Sequence, residues 1–195
     1  MLTQAFKILL RIMKVQYGRK LRLRGLPVIL KVKGAQIKIG DGCTINSSFW
    51  SNLMGLYSRT VIVARCAGAT IEIGDHVGIS GAAIYARKGI HIGSHTAIGA
   101  NAKILDNDFH PVDRDQRIRL LESRKSGESD LIPSKPIWIG KDCWIGCNSI
   151  ILKGTVLGDG CVVGAGAVVC GTFEANSVIA GNPARAIKRL DTKEP

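Results

Sequence analysis

The chain has 195 residues, of which 46% are hydrophobic and only 5% aromatic, so one domain has to build its core from many small aliphatic contacts. The formal charge is +12; nine of the 27 Lys and Arg residues fall in residues 1–33, a segment that holds none of the 15 acids. A collagen-like chain is excluded because the 23 glycines do not recur at every third position, and no CxxC pair marks a metal ribbon or redox site.

At the N-terminus, Leu2, Phe6, Leu9, Leu10 and Met13 share one face of a predicted amphipathic helix, with Lys7, Arg11 and Lys14 elsewhere on it. This helix and the basic stretch after it form a first unit, residues 1–34. Two readings stay open for it. It can cap the open end of the fold described next, which is the preferred reading, or lie on an anionic membrane surface. The three cations leave no apolar run of about 18 residues to span a bilayer, and they spoil a signal-peptide core. The expected location is the cytoplasm, with peripheral contact at the inner membrane face as the alternative. Scarce aromatics and the lack of a recognised motif argue against nucleic acid as a partner.

From Ile139 the chain reads IGKDCW IGCNSI ILKGTV LGDGCV VGAGAV VCGTFE ANSVIA, hexapeptides led by Ile139, Ile145, Ile151, Leu157, Val163, Val169 and Ala175. The same grammar appears upstream as IGDGCT at 39, IGDHVG at 73, IGSHTA at 92 and IGANAK at 98. Period six is neither helical nor simply alternating. It is the signature of a parallel β-helix, an all-β solenoid whose short strands turn a corner at each repeat. The leading aliphatic is expected inside, the glycine to allow an unusual corner backbone, and the fifth residue to be small because the interior is narrow. Cys43, Cys143 and Cys161 all take that fifth slot, so the six cysteines read as reduced thiols. The solenoid is expected over residues 35–180, followed by an exit segment at 181–195.

Two stretches break the period. The first, residues 46–70, contains Asn52, Gly55 and Tyr57 in places the repeat does not define. The second runs over 105–136, is polar with prolines at both margins, and begins beside DNDFHP. Ile92, Ile98 and Ile104 are spaced by six, and the next step is His110. A histidine in an aliphatic slot, at the mouth of a long loop, fits a coil broken so that an imidazole faces a cleft. The plainer alternative is a ring that only helps the chain leave the coil. Asp106, Asn107 and Asp108 can orient that ring or serve as turn residues. His76, His91 and His95 are expected to point outward at corners as surface residues.

On these repeats, the Phe109-His110-Pro111 segment, WIG at 144–146, VVGAGAVV at 162–169 and AGNPARAIKRL at 180–190, the sequence resembles the hexapeptide-repeat acyltransferases. It is closest to their maltose, galactoside and polysaccharide O-acetyltransferase branch. The resemblance covers roughly residues 35–190 and implies a left-handed β-helix with a projecting loop, assembled as a homotrimer with active sites between subunits. It implies acetyl-CoA as co-substrate, no metal, and a carbohydrate acceptor such as a surface-polysaccharide or lipopolysaccharide precursor. His110 would be the general base. Trp144, Gly146, Cys147, Ala165, Arg185 and Lys188 would hold CoA, although hydroxyl residues are expected where Cys147 and Cys170 stand. Ser80, Asn101 and Arg117 are the acceptor-side candidates.

Three other readings compete. One is an N-acetyltransferase acting on an amino sugar, and another is a non-catalytic β-helix scaffold. The third is a zinc hydratase of the γ-carbonic-anhydrase type; His91 and His95 are one residue too close for its HxxxxH spacing.

Overall fold

The computed structural model describes residues 2–123 and 130–191, and in it the chain winds as a left-handed parallel β-helix with three faces. The first face has seven strands, the second eight and the third six; every pairing is parallel except the last on the second face. Each face carries an inward ladder of aliphatic residues in register. On the second face it runs Ile45, Ile79, Ile98, Ile145, Val163 and Ile179. On the third it runs Ile62, Ile84, Ile104, Ile151 and Val169. All of these are buried, as are Cys43, Cys143 and Cys161 in the narrow corners. Each buried isoleucine is worth roughly 1.5–3 kcal/mol over its exposed form, and only the neighbouring coils bury it.

The strand ladder reaches further toward the N-terminus than residue 35. Gln16–Tyr17, Arg22–Arg24 and Val28–Lys31 already pair with the coil that follows them. That first coil lies inside the segment the sequence reading gave to helix and cap, because only Gly18 follows the grammar there: the residue leading it is the aromatic Tyr17, and Leu23 is followed by Arg24 instead of glycine. Helix α1 (Leu2–Ile12) covers the open coil with Leu10, fully buried, and with Phe6 and Met13 packed on the core. Of the predicted inner face, Leu9 is instead exposed, and the Leu2 side chain lies outside the described residues.

The repeat needs two corrections. The second-slot glycines do not adopt unusual backbone; the left-handed φ values fall on the fourth slot, at His76, His95, Asn101, Asp142, Asn148, Gly160 and Gly166. The second slot is glycine because the next coil lies against it: a Cβ on Gly140 would stand 2.6 Å from Asp159 N, and one on Gly146 2.6 Å from Ala165 N. The second correction is a slip. Phe173, not Ala175, stands opposite Leu157 and takes the last inward place on the first face. Gly171, at φ 116°, turns that corner two residues early.

Both interruptions leave at corners. Residues 47–60 lie between the second and third faces, and 106–136 between the third and first. The second excursion contains a helix the sequence reading did not foresee, α2 (Arg114–Glu122), capped by Asp113, whose Oδ1 accepts from Gln116 N–H at 2.9 Å. Residues 124–129 of this loop and 192–195 of the exit segment lie outside the described residues.

Candidate active site

The long loop is tied to the solenoid by residues around His110, not by His110 itself. Asp106 is fully buried, and its carboxylate accepts from the backbone N–H groups of Arg87 (2.8 Å), Lys88 (2.7 Å) and Gly89 (2.8 Å) in the preceding coil. Asn107 Nδ2 donates to Asp106 Oδ1 at 3.1 Å, and Asn107 Oδ1 accepts from Phe109 N–H at 2.9 Å. Asp108 takes Lys153 Nζ on both oxygens, at 2.6 and 2.7 Å. Lys135 N–H closes the neck on Asp106 O at 2.8 Å. Asp106, Asn107 and Asp108 are therefore anchors of the turn, and none of them orients the imidazole.

The turn itself presents His110. Phe109 sits at φ 62°, with its ring 4.9 Å from that of Tyr85, and His110 N–H donates to Asp108 O at 2.7 Å. The His110 side chain is exposed and makes no hydrogen bond among the described residues. In the single chain it stands in the open, not in a closed cleft. Arg117, on α2, reaches back under this segment: its Nη1 donates to Pro111 O (3.1 Å) and Val112 O (2.8 Å).

The corner between the second and third faces holds the other acceptor-side candidates, beneath the first excursion. Ser80 Oγ accepts from Asn46 Nδ2 at 3.0 Å. Asn101 is buried with both ends of its amide engaged, Nδ2 donating to Gly55 O (2.9 Å) and Oδ1 accepting from Tyr57 N–H (3.3 Å). The sequence reading expected Ser80, Asn101 and Arg117 to offer groups to a sugar; in the fold these groups are occupied within the chain. The excursion is a strap along the corner. Thr60 N–H donating to Ser47 Oγ (2.9 Å) closes its neck, and the Tyr57 hydroxyl donates to Asn148 Oδ1 at 3.1 Å further along. Sequence reasoning saw the break in period there but could not place Tyr57, because the partners lie 44 and 91 residues away.

The donor-side candidates converge on the second face and on the same corner. Trp144, Val162, Val178 and Lys188 stand in one outward row, strand by strand, and the first and last of them are exposed. Three strand spacings separate Trp144 from Lys188, roughly 15 Å. Lys188 and Arg185 lie on Ala184–Arg189, the strand that folds back antiparallel beside Ser177–Gly181. Gly146, Cys147 and Ala165 form the adjoining corner, where Gly146 is the close-approach glycine already described.

A contrast between two corners defines this one chemically. Between the first and second faces, third-slot backbone N–H groups are capped by side chains of the next coil: Arg19 by Asp41 (2.7 Å), Asp41 by Asp75 (2.7 Å), Asp75 by Ser94 Oγ (3.0 Å) and Lys141 by Asp159 (2.9 Å). The Arg19 amide holds the Asp41 carboxyl below its usual range. At the corner between the second and third faces the same slot holds Ala100, Cys147 and Ala165. None of these carries a carboxylate or hydroxyl, so the amides there have no side-chain acceptor among the described residues.

The remaining histidines sit apart from this corner. His76 and His95 stack at 5.2 Å with Asp142 beyond them, and His91 lies mid-strand on the first face, not at a corner, tilted against Trp138 at 5.0 Å. No group of three or more His, Cys, Asp or Glu fit to hold a metal occurs among the described residues. No helix among them is long and apolar enough to cross a membrane.

Residues 136–170 match the family model described as the hexapeptide repeat of succinyl-transferase. That match covers 35 of the 195 residues. Among solved structures it is similar to AntD, an N-acyltransferase from Bacillus cereus, in complex with dTDP and 3-hydroxybutyryl-CoA: 19% identity, TM-score 0.68, over 96% of this chain and 89% of that one. A mutant of AntD with dTDP-4-amino-4,6-dideoxyglucose and coenzyme A gives 19% identity and a TM-score of 0.69, over 96% and 90%. A maltose O-acetyltransferase from Clostridium difficile 630 is 24% identical over 91% of this chain and 67% of that one, with a TM-score of 0.43. At these identities the likeness of this chain to AntD is one of fold. No curated protein matches the sequence.

Proposed function

We propose that the chain is a CoA-dependent acyltransferase that moves an acetyl group from acetyl-CoA to a hydroxyl of a carbohydrate, with His110 as general base. The observation that carries this reading is the division of labour in the loop. At the head of the loop the anchoring side chains are Asp106, Asn107, Asp108 and Arg117, and the imidazole is left outward and unbonded. A histidine whose ring merely helped the chain leave its coil would hold one of those bonds through that ring.

In the reaction the neutral imidazole takes the proton of the acceptor hydroxyl as its oxygen attacks the thioester carbonyl. The tetrahedral oxyanion is stabilised by a backbone N–H. Its collapse breaks the C–S bond, the CoA thiolate takes the proton back from the imidazolium, and an ester is left on the sugar. The donor lies on the second face: Trp144 packs on the cofactor, the amides at Cys147 and Ala165 meet the pantetheine amides, and Arg185 and Lys188 meet the phosphates. Cys147 donates weakly where a hydroxyl is expected, so the backbone carries that contact. On the acceptor side, Ser80 and Asn101 shape the corner under the strap, and Arg117 holds the His110 segment. The acceptor is a surface-polysaccharide or lipopolysaccharide precursor, and the enzyme works in the cytoplasm.

The site is completed between copies in a homotrimer. In one chain His110 is exposed, and the strap presents Phe49, Trp50, Leu53 and Met54 to solvent, an apolar tip for a neighbouring copy to cover. Transfer to the amine of an amino sugar is the second reading. It is favoured by the likeness in fold to AntD, which is an N-acyltransferase.

The test is calorimetric titration of acetyl-CoA into the protein and into the Arg185→Ala/Lys188→Ala double variant. Binding that weakens in the variant is expected. No binding at millimolar ligand, by protein shown to be folded, rejects the acetyl-CoA reading in favour of a scaffold. Hydroxylamine then separates the two acceptor chemistries, because it cleaves an ester product and leaves an amide.

A further inference from the structure

Helix α1 carries more apolar surface than a cap requires. Phe6, Leu10 and Met13, at i, i+4 and i+7, form the stripe that meets the first coil. Ala5, Ile8, Leu9 and Ile12, at i, i+3, i+4 and i+7, form a second stripe that meets nothing. Ile8 is 58% exposed, Leu9 45% and Ile12 71%. Single exposed aliphatics are ordinary, but three large ones in a row on one helix are a patch.

Charge gathers around this patch with one sign. Lys7, Arg11, Arg19 and Lys20 line an open cavity of about 630 Å³ beside Ile8. Its one acid, Asp41, is already engaged by the Arg19 backbone N–H at 2.7 Å and by Arg19 Nε at 3.3 Å. Arg11 holds its guanidinium over the Tyr17 ring at 5.8 Å, beside the same cavity.

We infer that α1 docks the protein on an anionic lipid bilayer, with Ile8, Leu9 and Ile12 entering the boundary between headgroups and acyl chains. Arg11, Lys14, Arg19 and Lys20 meet the lipid phosphates around them, while Lys7 Nζ stays on Leu21 O at 2.8 Å. A second copy of the chain is the poorer occupant. The same surface would bring Lys7, Arg11, Arg19 and Lys20 against their like, with Asp41, the one acid among them, already paired to Arg19. Capping and docking are then the work of two neighbouring faces of one helix. The inference does not depend on the acyl-transfer reading.

The experiment is co-sedimentation of the full chain with vesicles of phosphatidylcholine alone or mixed with phosphatidylglycerol, at low and high salt. It is run beside an Ile8→Ser/Ile12→Ser variant and an Ile8→Leu/Ile12→Leu control. The wild type is expected to sediment with the anionic vesicles only, and less at high salt. The serine variant should bind at least about 10-fold more weakly with an unchanged melting temperature, and the leucine control should bind like wild type. Failure of the wild type to bind anionic vesicles overturns the inference, as does a serine variant that binds equally well. A serine variant that changes the solution mass while wild-type vesicle binding is absent assigns the patch to a second copy.

Discussion

Asp106 and Gly89 are joined across one coil: the carboxylate at the root of the long loop accepts the Gly89 N–H at 2.8 Å, together with those of Lys88 and Arg87. The carboxylate is fully buried, so its four donors, these three amides and Asn107 Nδ2, stand in for water. Asp106→Ala removes the acceptor and leaves the N–H groups unpaired. It is expected to cost about 3 kcal/mol or more in urea unfolding, and to lower turnover through misplacement of His110 while acetyl-CoA still binds. Unchanged stability would show that the loop is held elsewhere.

His110→Ala should behave in the opposite way. The exposed ring makes no bond among the described residues, so unfolding should shift by no more than about 0.5 kcal/mol. Turnover should fall roughly 10²–10⁴-fold with CoA affinity unchanged. A variant that retains full turnover would return His110 to the surface residues.

The solenoid was legible because stacking repeats one physical demand every six residues, as at Ile145, Val163 and Ile179. The first coil was not, since the aromatic Tyr17 leads the hexapeptide that holds Gly18 and buried Leu21, and Leu23 is followed by Arg24 where the later repeats have glycine. Ala175 was misread because Gly171 shortens a corner, and sequence spacing does not register a change in path length. His110 stood out as a break in a pattern. The roles of Asp106, Asn101 and Tyr57 did not, because each depends on partners that only coil stacking brings near.

The thiols offer a check on the interior. Burial pushes Cys43 and Cys161 up from the usual thiol value and Cys143 up to about 11. In native protein a maleimide should label exposed Cys170 first, and Cys43, Cys143 and Cys161 only after unfolding. Bound CoA should shield Cys147 and not Cys170. The raised values also fix a sign: the unfolded chain ionises these thiols first, so their contribution is intact below pH 9 and lost as pH rises toward 11. Urea melts across that window should show the loss, and Cys143→Ala should reduce it.

Two glycines one coil apart separate packing from backbone strain. At Gly146 a Cβ would lie 2.6 Å from both Ala165 N and Val163 O, backbone atoms of the next coil. At Gly166 nothing lies within 4 Å, but φ is +68°. Gly146→Ala must therefore push coils apart and should cost about 3 kcal/mol, with acetyl-CoA affinity falling as Cys147 and Ala165 shift. Gly166→Ala should cost about 1–2 kcal/mol, the left-handed penalty alone. Gly166→Asn should cost less, because Asn148 already holds φ 56° at the same slot one coil earlier. Gly146→Asn should gain nothing of that kind, since the backbone at Gly146 is ordinary and the obstacle is the contact. Should Gly146→Ala unfold like wild type and still weaken acetyl-CoA, the glycine serves the ligand and not the stack.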